Sequence, residues 1–177
     1  MTKQIKIGID YHGVITANPE FFKKFNEYAI KNNCLVYIIS GGYEKDIKKY
    51  MEEKNILYSK IWSTVDYYEA LNEVEHFEDG TFKVEDALWD RAKAWYCATN
   101  KIDFHIDDSV IYGKYFTTPF CLYEIIEKRC FINGTHIDFN QNPDKVLKNI
   151  LAQIKKWLFI HFDFVAITNL FFDYHLP

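Results

Sequence analysis

A chain of 177 residues, 49% hydrophobic and 18% aromatic, is long enough to bury one sizeable core and too apolar to be disordered. Its formal charge of −4, from 21 Lys and Arg against 25 Asp and Glu, argues against nonspecific binding of nucleic acid. Cys34, Cys97, Cys121 and Cys130 form no C-x-x-C pair and have no zinc-like spacing, so they are expected as reduced thiols.

Met1-Thr2-Lys3-Gln4 runs into an alternating segment without the apolar h-region of a signal peptide, which gives a cytoplasmic protein as the expectation. In Ile5-Lys6-Ile7-Gly8-Ile9 the isoleucines alternate with Lys6 and Gly8, the period of a strand, and the run ends at Asp10. Asn18-Pro19-Glu20 starts a helix whose apolar face is Phe21, Phe22, Phe25, Tyr28 and Ala29. Leu35 to Ile39 is the near-continuous apolar run of a strand covered on both faces, and it ends in Ser40-Gly41-Gly42. A second helix is predicted from about Glu44 to Lys54 and a short strand near Leu57 to Trp62. The order βαβαβ predicts right-handed crossovers and a parallel sheet.

Residues 64–86 break the pattern and are expected as a small insert, with a hairpin turning at Asp79-Gly80. Ala87 to Asn100 is predicted helical. Ile102 to Ser109 reads as a strand ending in Asp107-Asp108, followed by a short helix through Ile111 and Tyr112 and a strand at Phe120 to Tyr123. Arg129 to Asn140 is expected as a hairpin around Asn133-Gly134. Asn142-Pro143-Asp144 opens an amphipathic closing helix through Trp157. The aromatic tail, 158–177, carries His161, Asp163, Thr168 and Asn169, too polar for a membrane span, and is expected to cover the core or to form a dimer contact. The whole chain, 1–177, thus reads as one three-layer, Rossmann-like α/β domain, monomeric or homodimeric.

Three strands end in polar groups: Asp10 with His12, Ser40 with Gly41, and Asp107 with Asp108. In a doubly wound sheet such ends converge on one edge. Clustered carboxylates repel, by roughly 4 kcal/mol for two charges about 4 Å apart at an effective dielectric of about 20, so a bound cation is the expected reason for them. Magnesium suits carboxylate oxygens, a backbone carbonyl, waters and a substrate phosphate. Ser40 with the amides of Gly41 and Gly42 would hold phosphate oxygens, and Lys93 would neutralise their charge.

This ordered set resembles the haloacid-dehalogenase (HAD) superfamily of phosphatases and phosphotransferases. Asp10-Tyr11-His12-Gly13-Val14-Ile15-Thr16 matches its Asp-x-Asp-Gly-x-x-Thr motif at all but one position, and Ser40, Lys93 and Asp107-Asp108 match the three later motifs. The resemblance implies magnesium-dependent hydrolysis of a small or larger phosphomonoester. Asp10 would be the nucleophile that forms an aspartyl-phosphate, Ser40 and Lys93 would cradle the phosphoryl group, and the metal would be held by Asp10, the carbonyl of His12 and Asp108, with Asp107 acting through water.

The departure is His12, which stands where most of the family's phosphatases have an acid-base aspartate. A histidine ordinarily titrates near about pH 6.5 and could donate the leaving-group proton and then accept one from water. A phosphate-binding or regulatory protein with little turnover is the first alternative. A dehalogenase-type hydrolase is the second, disfavoured by Asp107 and Asp108. His105 is expected as a packed side chain rather than a ligand, and His76, His136, His161 and His175 as surface groups.

Overall fold

The structure is a computed structural model that describes residues 3–132 and 135–172, without the side chains of 158–172. A central seven-stranded sheet carries the molecule, built from β1 (Lys6–Ile9), β2 (Leu35–Ser40), β3 (Lys60–Ser63), β6 (Phe104–Asp107), β7 (Phe120–Glu124), β8 (Arg129–Ile132) and β9 (Thr135–Asp138). Their spatial order is β3-β2-β1-β6-β7-β8-β9. The first five are parallel, while β8 and β9 return antiparallel and close one edge. The expected hairpin at 129–140 therefore extends the main sheet; its turn, Asn133-Gly134, lies outside the described residues.

Helices α1 (Pro19–Lys31), α2 (Glu44–Lys54), α3 (Thr64–Ala70), α4 (Asp86–Thr99), α5 (Val110–Gly113) and α6 (Pro143–Phe172) connect and cover the strands. Strand alternation divides the sheet between two cores, as Ile38 and Ile39 of β2 show by falling in different ones. Ile7 and Ile9 pack with Phe22 and Phe25 of α1, Ile47 and Met51 of α2, and Val146 and Ile150 of α6. On the other face, Ile39 of β2 packs with Tyr96 and Cys97 of α4. Helices on both faces of a mostly parallel sheet make a three-layer α/β fold.

The segment expected as an insert holds α3 and a separate ribbon of β4 (Glu75–His76) and β5 (Phe82–Lys83), turning through Gly80 at φ +83°. Ser63 caps α3 by accepting from the Asp66 amide at 3.0 Å. Asp66 in turn accepts from the Glu44 amide at 2.7 Å, tying the insert to the start of α2.

The cysteine expectation needs a correction. Cys34 and Cys97 are free and buried, but Cys121 and Cys130 form a disulfide, with Cα atoms 5.6 Å apart. The antiparallel return of β8 against β7, which sets Tyr123 opposite Cys130, brings the two thiols together. As for the tail, the backbone of α6 continues to Phe172, but the aromatic side chains expected to cover the core lie outside the described residues. Among the described residues, no helix is long and apolar enough to cross a membrane.

Candidate active site

The chain leaves β1 in one direction to build β2 and β3, then returns to lay β6 on the other side of β1. A crevice opens at such a reversal, beyond the carboxyl ends of the strands. Register places the acids there: Ile9 lies opposite Ile106, so the next residues are Asp10 and Asp107. The Asp10 amide donates to the Ile106 carbonyl at 2.8 Å, which fixes the spacing.

After Asp10 the backbone makes a wide, π-type turn over Tyr11–Ile15. Gly13 takes φ +71° within it, a conformation that costs glycine little. Its amide donates to Thr16 Oγ1 at 3.1 Å. A Cβ at position 13 would overlap the Asp108 carboxylate, so glycine is what lets that acid reach the loop after Asp10.

Lys93, from α4, bridges two acids, with Nζ 2.9 Å from Asp10 Oδ1 and 2.7 Å from Asp107 Oδ2. All three residues are buried. Asp10 Oδ1 also accepts from the Tyr11 amide at 2.8 Å, so both donors fall on one oxygen and Oδ2 takes neither. Asp107 is fully engaged: Oδ1 accepts from the Ser109 amide at 2.9 Å, and Oδ2 meets both Lys93 and His105 Nε2, the latter at 3.2 Å. The half-buried Asp108 carboxylate takes no hydrogen bond from another described side chain.

These surroundings separate the acids electrostatically. Burial, reinforced by the Asp107 charge, raises the Asp10 pKa above the usual carboxylate range against the pull of Lys93. Burial also pushes Asp107 up, but the His105 hydrogen bond and the Lys93 ammonium outweigh it and hold the carboxyl at about 2. Asp108 is raised by burial and by the charges of Asp10 and Asp107. Burial lowers Lys93, yet its two carboxylate partners prevail and keep it a firm cation.

One oxygen from each of Asp10, Asp107 and Asp108 can be chosen so that all three lie within 4.8 Å of one another. Hard oxygen donors at this spacing fit a small divalent cation. With both oxygens of Asp107 already accepting, Asp10 and Asp108 have the freer ones.

The remaining expected residues line the same cleft of about 420 Å³: Ser40, Gly41, Gly42, His12 and Lys93, with Asp10 and Asp108. Ser40 Oγ lies 3.4 Å from His12 Nδ1, and His12 itself is exposed. Every residue proposed from sequence except Asp107 lines the cleft, and Asp107 sits directly behind it, on Lys93.

Sequence reasoning missed two things. His105 is packed, as expected, stacked on Phe116 with centroids 5.0 Å apart, but it also holds Asp107. The cleft further has an aromatic wall of Phe82, Trp89 and Tyr112, for which the available signal was the four-residue spacing of Trp89 and Lys93 on one helical face. Compared with protein-family profiles, curated proteins and solved structures, the chain matches none.

Proposed function

We propose that the protein is a magnesium-dependent phosphomonoesterase of the HAD type, with Asp10 as nucleophile. The observation that carries this reading is the meeting of Asp10, Asp107 and Asp108 within one cation-sized cluster, with Lys93 bonded to the first two. A structural salt-bridge network would account for Asp10, Lys93 and Asp107. It gives no reason for Asp108, a third acid brought against Gly13 with its pKa raised by its neighbours.

In the proposed reaction, Asp10 Oδ2 attacks phosphorus while the bond to the ester oxygen breaks. The leaving oxygen takes a proton from His12. Water then attacks the aspartyl-phosphate, giving up a proton to His12, and the P–O bond to Asp10 breaks to restore the carboxylate. Lys93 and Ser40 hold the phosphoryl oxygens throughout. Magnesium, held by Asp10 and Asp108, would supply charge neutralisation for the transferring group.

Phosphate release from 4-nitrophenyl phosphate tests the reading. Activity with magnesium, its loss on chelation and its loss in D10N are the expected results. Release that persists in D10N would refute Asp10 as nucleophile.

A second reading, a phosphate-binding protein with little turnover, is favoured by the absence of a carboxylate at position 12. The two separate in H12A and H12D. Acid-base catalysis by His12 predicts that alanine lowers kcat about 10²-fold or more and that aspartate restores part of it. Magnesium binding without turnover in the wild type would favour the second reading.

A further inference from the structure

Phe82 comes from the ribbon, Trp89 from α4 and Tyr112 from α5, yet all three reach the cleft that holds Asp10. None is fully buried, so they are not simply core. The indole is nonetheless fixed. Its Nε1 donates to the Tyr112 hydroxyl at 3.0 Å, and a Cβ at Gly41 would fall 2.7 Å from its Cζ2. Phe82 leans against it, with ring centroids 5.8 Å apart and planes at 51°. A ring held in place but left partly open beside a charged site is preorganised for a face to be laid on it.

From this we propose that the cleft selects phosphomonoesters whose alcohol portion carries a planar aromatic ring, stacked on the wall of Trp89, Phe82 and Tyr112. The inference rests on the phosphatase reading of Asp10 and adds the class of substrate. An aliphatic or polyol portion would gain little from these ring faces, whereas a planar π system gains by stacking. Aromatic walls also attract organic cations. Here Lys93 Nζ already lies 4.9 Å from the Tyr112 ring centroid, so a second cation would meet a like charge. The Tyr112 oxygen accepts the indole proton and keeps its own to donate, which suits a ring bearing an acceptor. A cleft of about 420 Å³ accommodates a phosphoryl group with one ring system.

The test pairs esters with matched leaving groups: adenosine 5′-monophosphate against ribose 5-phosphate, and benzyl phosphate against glycerol 3-phosphate, with choline phosphate as the cationic arm. At least one aromatic ester should exceed its partner about tenfold in kcat/KM, mainly through KM. The pair that shows the lead distinguishes a nucleotide from a simple aryl ester. W89A should cut that lead about tenfold, and F82A, whose backbone belongs to the ribbon rather than to α4, should cut it in the same direction even if W89A fails to fold. Equal rates within both pairs, a preference for choline phosphate, or a lead that survives in F82A would overturn the proposal. Equilibrium titration of D10N with the same esters separates the two readings. Preferential binding of the aromatic partner, with no turnover in the wild type, would remove the phosphatase and leave the aromatic subsite standing.

Discussion

The side chains of Asp107 and Asp108 are adjacent in sequence and opposite in circumstance. Asp107 is buried under an ammonium, an imidazole and an amide, so D107A would leave Lys93 with one partner fewer and His105 with none. Breaking a buried ion pair from one side costs about 3–5 kcal/mol, and a comparable loss is expected in chemical denaturation of D107A. D108A should leave stability near that of the wild type, or slightly higher, because it relieves repulsion with Asp10 and Asp107. Magnesium at the proposed site should raise the Tm of the wild type, and the same variant should lose that rise. Both acids were legible in the sequence as a pair ending a strand. The anchoring of Asp107 by Lys93 and His105 was not, because it depends on which acid faces them across the sheet. His105 Nδ1 is buried without a hydrogen bond, so the proton that the Asp107 carboxylate needs sits on Nε2.

At the scale of elements, the loop of residues 11–15 has least room for change. G13A would place a methyl group on the Asp108 carboxylate and force a positive φ on an L-residue. The expected result is a stability loss of about 1–2 kcal/mol together with weaker magnesium binding, read by thermal melts with and without the ion. A wild-type response to magnesium in G13A would mean that Asp108 does not need this loop. The run from Ile5 to Asp10 announced its strand through alternation and its site through the acid at its end, as did β6, while β2 showed itself through a near-continuous apolar run ending at Ser40. The aromatic wall gave no such sign, since a tryptophan on an amphipathic helix reads the same whether it faces a core or a cleft. The Cys121–Cys130 bridge was hidden for a related reason: it depends on β8 returning antiparallel to β7, which cysteine spacing alone does not encode. Among the described histidines, His76 is exposed as expected, and it lies 3.2 Å from Glu69 Oε1.

For the molecule as a whole, the raised acids couple stability to pH and to the cation. In the absence of metal, Asp10 and Asp108 have folded pKa values above their unfolded ones. Their contribution to stability is therefore fully present below the unfolded values and is lost as pH rises through the folded ones. Asp107 runs the other way. Its carboxyl, held at about 2, contributes above its unfolded pKa and loses that contribution as pH falls towards the folded value. A divalent cation at the proposed site would bind the ionised carboxylates, so the rise in Tm on adding magnesium should grow as pH rises through the folded pKa values of Asp10 and Asp108 and then level off. At a hundredfold excess over Kd the gain corresponds to about 2.7 kcal/mol. A Tm increment independent of pH through those values would count against Asp10 and Asp108 as ligands.

Trp89 and Lys93 stand one turn apart on the same helix, the first leaning on Gly41 and the second clasping the acids of two strands. The ring that would choose a substrate and the cation that would steady its phosphate thus share one rigid rod. Tilting or sliding that rod to admit a different ester would drag the ammonium with it, so under the proposed reading selectivity and turnover would be geared together. An engineer who retunes one will have to rebuild the other.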